Sequence, residues 1–282
     1  MSASRTIGHL VFDSDGVLTS GGSPLPGAQE LIKRLNDLNF PFHILTNNPF
    51  LDRDLKSAGY RQLGFEILPD QIVGAADPLP RWLNENKLGS STVYSNGIED
   101  PKDHLALLGL QVNNHAPMNE LGAVILFDHD YDWNGERVAE LLHLFLHRPD
   151  LPFIVANPDL VYPDQPGHLM LTTGAWVEML VHLCQAKGVE LKPIFLGKPY
   201  APIYRHLSSK LREAMDPKHI FMMGDSPGTD ILGANRQGWT SVLVETGNFR
   251  FGENLKGSRA HYRLKNLVTF QEKLEQGFFQ LV

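Results

Sequence analysis

Short apolar runs that end abruptly in polar residues recur along this chain. His9–Phe12 runs into Asp13-Ser14-Asp15-Gly16, and Phe42–Leu45 runs into Thr46-Asn47-Asn48. Ile194–Leu196 runs into Gly197-Lys198-Pro199, and Ile220–Met223 into Gly224-Asp225. Near-continuous apolar runs of this length are what strands buried on both faces of a parallel sheet look like. Helical patterns lie between them. Pro26-Gly27 opens a segment with Ala28, Leu31, Ile32, Leu35 and Leu38 on one face, a 3.6-residue period. Thr229 reads as the N-cap of a helix over Asp230–Gln237, with Gly238 as its stop. Strand, polar turn and helix in repetition predict an α/β fold on a doubly wound, Rossmann-like parallel sheet. Ligands in such sheets bind at the carboxyl ends of the strands, where the polar residues fall here.

A long interval separates Thr46–Asn48 from Gly197–Pro199. It has strand-like runs of its own at Thr92–Tyr94, Gly122–Phe127 and Phe153–Ala156, and helical patterns at Arg137–Leu146 and Gly174–Lys187. This predicts a large inserted α/β domain over 78–188, with the core in 1–77 and 189–282. A chain of 282 residues has ample material for both. Composition then narrows the function classes. Lys and Arg number 25 against 32 Asp and Glu, a net charge of −7, which argues against a nucleic-acid-binding face. The single cysteine, Cys184, has no internal disulfide partner and suits a reducing compartment. No apolar run approaches a membrane span and Met1–Leu10 lacks a signal-peptide core, so a cytoplasmic protein without membrane contact is expected.

Asp13 and Asp15 stand at i and i+2 after a strand, where both side chains can project towards one side. Two such carboxylates repel unless a cation neutralises them or one is protonated. Mg²⁺, a hard cation with oxygen ligands, suits the pair. Asp15-Gly16 equally reads as a turn. Asp225 and Asp230 add two acids at another strand end, again open to reading as a polar loop and helix cap. Four carboxylates at one predicted rim demand neutralising charge. Thr46 and Asn47 offer a hydroxyl and amides suited to phosphate oxygens, and Lys198 places a positive charge at the same rim.

In order and spacing these pieces resemble the haloacid dehalogenase-like hydrolase superfamily. Asp13 and Asp15 match its first motif, Thr46 its second, Lys198 its third, and Asp225 with Asp230 its fourth. The long insertion between the second and third resembles the large-cap, nitrophenylphosphatase-like subclass. Further matches run through Phe127–Asp130, Tyr131, Ala156-Asn157-Pro158-Asp159, Pro163 and Gly174-Ala175. The resemblance implies that Asp13 is a nucleophile forming an aspartyl-phosphate, and Asp15 the general acid and then base. It implies Mg²⁺ on Asp13, the backbone carbonyl of Asp15, and Asp225, with Asp230 joining them either directly or through a water. Thr46 and Asn47 would hold the phosphoryl oxygens and Lys198 would stabilise their charge. Ser14 departs from the family pattern, where an apolar residue is frequent, and so does Pro49, where a small hydroxyl residue is usual.

The expected activity is Mg²⁺-dependent hydrolysis of a small phosphate ester. Sugar phosphates, nucleotides, phosphoglycolate and pyridoxal phosphate all fall in that class. Caps of this type often carry a dimer contact, which leaves the oligomeric state open between a monomer and a homodimer through the cap. The competing readings are a phosphotransfer regulatory module and a non-catalytic scaffold on the same fold. His143 and His147 have zinc-like spacing but no third ligand and apolar neighbours. Cys184 reads as a buried hydrophobe; Trp133, Trp176 and Tyr131 read as core or substrate-facing alike.

Overall fold

A computed structural model describes residues 5–49, 52–96, 105–128, 133–165, 168–211, 215–249 and 255–282. Asp130 and Tyr131 lie outside the described residues. The chain divides into two compact units, one of Met1–Thr46, Asp52–Val73 and Lys198–Val282, the other of Asn47–Leu51 and Gly74–Gly197.

The first unit is built on a six-stranded sheet. Its order is Tyr262–Leu264, Thr240–Val244, Ile220–Gly224, His9–Phe12, Phe42–Thr46, Ile72–Gly74. From Tyr262–Leu264 across to Phe42–Thr46 every neighbouring pair is parallel. The earliest of these strands in the chain lies inside the sheet, with later strands added first on one side and then on the other. That reversal of strand order is the topological switch point, where a crevice opens at the carboxyl ends. The strands flanking it, His9–Phe12 and Ile220–Gly224, are buried throughout, as their unbroken apolar sequence predicts. Helix Ala28–Asp37 buries Ala28, Leu31, Ile32 and Leu35. Leu38, past its end, is exposed.

The second unit has a five-stranded, all-parallel sheet ordered Ile194–Phe195, Phe153–Val155, Leu121–Leu126, Thr92–Asn96, Gln111–Val112. Alternate residues serve two cores. Tyr94, Val124, Leu126 and Val155 pack with helices Gly135–His147 and Thr173–Ala186. Val93, Ala123, Ile125 and Ile154 pack with Leu79 and Leu83 of helix Leu79–Glu85. Cys184 and Trp133 are buried in the first of these cores, and Trp176 stacks on Trp133 with ring centroids 5.4 Å apart and planes 2° from parallel. Both tryptophans therefore serve packing. The segment 78–188 lies inside this unit. Ile194–Phe195 is a strand, but it pairs with Phe153–Val155 and belongs to the five-stranded sheet.

The helix expected from a Thr229 cap begins differently. Pro227–Ile231 forms a π-helical turn that continues into the α-helix Leu232–Arg236. Thr229 lies inside the turn. Ser226 occupies the cap position, and Asp230 reaches back to accept from its backbone N–H at 3.1 Å. Gly238 ends the segment at φ +75°, as expected.

Candidate active site

The sheet register assembles the site. Phe12 pairs with Met223 and with Ile44, so Asp13 leaves the sheet between the ends of the strands that carry Asp225 and Thr46. The Asp13 backbone N–H donates to the Met223 carbonyl at 2.9 Å, continuing the ladder one step. Lys198 then binds the cluster together. Its Nζ donates to Asp13 Oδ1 and to Asp230 Oδ1, each at 2.7 Å. Lys198 is 1% exposed, Asp230 0%, Asp225 1% and Asp13 9%.

One carboxylate oxygen from each of Asp13, Asp225 and Asp230 lies within 4.8 Å of the others, and no other such group of acids, histidines or cysteines occurs among the described residues. Burial pushes the Asp13 carboxyl well above the usual carboxylate range, and Asp230 and Asp225 push it further against the pull of Lys198. Burial, then Asp230, raises Asp225 to about 7, although the Asn248 backbone N–H favours its ionised form. Burial disfavours the Lys198 ammonium, but Asp13 and Asp230 outweigh it and keep the lysine charged. Three buried acids against one cation can all ionise only if further positive charge joins them. A set of oxygen donors around that deficit fits a divalent cation of the Mg²⁺ type.

Two glycines make this crowding feasible. A Cβ on Gly224 would sit 2.2 Å from the Asp230 Cβ, and one on Gly16 would sit 2.2 Å from Asp225 Oδ2. Gly16 also has φ +90°, which a side chain would strain.

The Asp15 carboxylate is not part of the group. The strand ends at Phe12, and a tight turn follows in which Leu18 and Thr19 N–H both donate to the Ser14 carbonyl, at 2.9 and 3.0 Å. The alternation of a strand therefore does not govern residues 13–15. Asp15 is exposed and accepts from the Thr19 hydroxyl at 3.1 Å. Thr46 ends the strand Phe42–Thr46 and is 3% exposed. Asn47, the next residue, groups with the second unit. There its Nδ2 donates to Asp159 Oδ1 at 2.8 Å, the Asp159 N–H donates to Asn157 Oδ1 at 3.0 Å, and Asn157 Nδ2 donates to Asp128 Oδ1 at 3.0 Å.

Sequence reasoning passed over three contributors. The Asn248 backbone N–H donates to Asp225 Oδ2 at 2.5 Å, and the Thr246 hydroxyl donates to the Gly16 carbonyl. Both follow the apolar strand Thr240–Val244, the same run-then-polar signal that exposed the other strand ends. Tyr60 donates to the Ser14 hydroxyl at 2.6 Å; no local pattern pairs a helix residue with a loop 46 positions away.

Comparison with known proteins identifies the family. A family model described as haloacid dehalogenase-like hydrolase matches residues 10–111, and a second HAD-like hydrolase model matches residues 195–269. A dihydroxyacetone phosphatase of Corynebacterium glutamicum is 28% identical over 83% of this chain and 80% of its own. The p-nitrophenyl phosphatase of Archaeoglobus fulgidus is 25% identical, with a TM-score of 0.74 over 95% of this chain and 99% of that one. A glycerol phosphate phosphatase of Mycobacterium tuberculosis, solved in complex with magnesium, shares the fold at 23% identity and TM-score 0.74, over 93% of this chain and 76% of that one. With both ends of its catalytic sheet matched and its four strand-end motifs in order, the chain belongs to the haloacid dehalogenase-like hydrolase family, as an enzyme of its phosphoric-monoester-cleaving branch.

Proposed function

We infer that the protein is a Mg²⁺-dependent phosphomonoesterase that hydrolyses a small phosphorylated metabolite through an aspartyl-phosphate on Asp13. The observation that carries this reading is the buried Lys198 ammonium bridging Asp13 and Asp230 beside Asp225. It holds a carboxylate nucleophile in a site whose remaining negative charge calls for a divalent cation. Asp13 Oδ1 already accepts from Lys198 and from the Ser14 N–H at 2.7 Å. Oδ2, which carries neither bond, is assigned the attack on phosphorus. As the Oδ2–P bond forms, the ester P–O bond breaks and the leaving oxygen takes a proton from Asp15. Asp15, now a carboxylate, takes a proton from water, whose oxygen displaces Asp13 and releases inorganic phosphate. Thr46, and Asn47 beside it in the chain, are assigned the phosphoryl oxygens, whose charge Lys198 offsets. Asp13, Asp225, the Asp15 carbonyl and Asp230 would hold the Mg²⁺, which when bound supplies charge neutralisation at the phosphoryl group. The buried thiol of Cys184 suits the cytoplasm.

Assay against a panel of phosphorylated metabolites tests the reading. EDTA should abolish phosphate release and excess Mg²⁺ should restore it. In Asp15→Asn, rapid mixing with nitrophenyl phosphate should give a burst of about one equivalent of nitrophenolate followed by slow turnover, with kcat on alkyl phosphates reduced by roughly 10²–10⁴. Full activity in EDTA, or an Asp15→Asn enzyme as fast as wild type, refutes it.

A further inference from the structure

We propose that Thr19 is a positioning residue for Asp15, holding its carboxyl group in the orientation needed for proton transfer; this rests on the acid–base role assigned to Asp15 above. Asp15 is exposed, and an exposed carboxyl group has two freely rotating side-chain bonds. The Thr19 hydroxyl, 5% exposed, donates to Asp15 Oδ1 at 3.1 Å. That donor is itself fixed. The Thr19 carbonyl accepts from the Gly16 N–H at 2.7 Å and its own N–H donates to the Ser14 carbonyl at 3.0 Å. Thr19 then enters a two-stranded ribbon, pairing with Pro24. A β-branched side chain on such a backbone has few rotamers open to it, so its hydroxyl is a preorganised donor. The other side of the turn is anchored as firmly. Tyr60 and Ser14 are both buried, and the phenol donates to the Ser14 hydroxyl. Burial keeps that phenol protonated, and so a donor. Ser14, a departure from the family pattern, thus ties the turn to helix Arg53–Gln62.

The bond from Thr19 serves both states of Asp15. A hydroxyl can donate to Oδ1 of the carboxylate or to the carbonyl oxygen of the carboxylic acid. In either state Oδ2 is left to give or take the proton. The turn itself does not depend on this contact, because the backbone bonds among Ser14, Gly16 and Thr19 already close it. The hydroxyl's second contact, to the Ser14 carbonyl, is long at 3.5 Å. Loss of the hydroxyl should therefore leave the fold intact and loosen only the acid.

Thr19→Val, which preserves shape, should lower kcat on an alkyl phosphate roughly 10-fold with KM within about twofold. Thr19→Ser should recover most of that loss. The nitrophenolate burst, which needs little help from an acid, should keep its rate. In an Asp15→Asn background, Thr19→Val should cost nothing further, since the residue acts through Asp15. Thr19→Ala provides the same test should the valine variant fold poorly. A wild-type kcat in the valine or alanine variant overturns the proposal. So does a loss that serine fails to repair, or one that persists unchanged beside Asp15→Asn. If Asp15→Asn itself turns over at the wild-type rate, the acid–base reading has failed and this inference falls with it.

Discussion

Lys198 illustrates how far one residue can govern this site. Its buried ammonium is the cation that Asp13 and Asp230 share. Removing one partner of a buried ion pair leaves the other charge without compensation and costs about 3–5 kcal/mol. Lys198→Met should therefore lower the urea midpoint sharply at pH 7 as well as abolish turnover. Added Mg²⁺ should recover part of the stability, because a divalent ion can offset the same carboxylates in the folded state alone. Equal midpoints with and without Mg²⁺ would remove the cation role of Lys198. Asp15 shows the opposite regime. It is exposed, holds no place in the cluster, and depends for its orientation on a single hydroxyl.

At the scale of elements, the decisive feature is the π turn Pro227–Ile231. Its wider coil turns Asp230 inward, where the carboxylate both accepts from the Ser226 N–H and meets Lys198. Gly224, at the end of the neighbouring strand, leaves room for it. Gly224→Ala should displace Asp230, with a loss of roughly 2 kcal/mol in urea unfolding and weaker Mg²⁺ activation. Thr229→Ala separates the turn from an ordinary capped helix. A true N-cap threonine would cost about 1 kcal/mol on truncation, whereas inside this turn the change should stay within roughly 0.5 kcal/mol. A larger loss would restore Thr229 as the cap.

The whole molecule's stability should depend on pH through the amino end of the catalytic sheet. His9 and His43, on adjacent strands, share one hydrogen bond at 2.9 Å and stack their rings. Burial, helped by Lys210 and opposed by Asp70, holds His43 down to about pKa 4. An unfolded histidine titrates near ~6.5. Between these values the unfolded chain binds the proton and the folded one does not, so stability is full above pH ~6.5 and is lost as pH falls towards 4. Allowing for solvent that reaches the ring, the loss from pH 7 to pH 5 is about 1 kcal/mol. Urea midpoints of wild type and His43→Gln at the two pH values should differ in slope by that amount. Identical slopes would show that the histidine does not carry the effect.

Asp13, Lys198 and Asp225 were legible from the chain alone, because each follows an apolar run directly or after one glycine; Asp230 reads as the first residue of a helix, whereas it lies inside the π turn Pro227–Ile231. Burial on both faces of a parallel strand writes itself into consecutive residues, and a strand's end is where that run stops. The helix Ala28–Asp37 and its buried face were legible for the same local reason. Strand partners are a different matter. Ile194–Phe195 reads alike in either sheet, and only its pairing with Phe153–Val155, some forty residues away, assigns it. The backbone turn that carries Asp15 is set by three N–H groups converging on the Ser14 carbonyl, and the place of Trp133 and Trp176 by the ring each finds in the other. Periodicity and strand ends are properties of neighbouring residues, so the sequence by itself determined where the buried strands stop and which polar residues follow them. Register, turn geometry and packing depend on segments that meet only after folding, so the tertiary structure alone decided how those side chains are held.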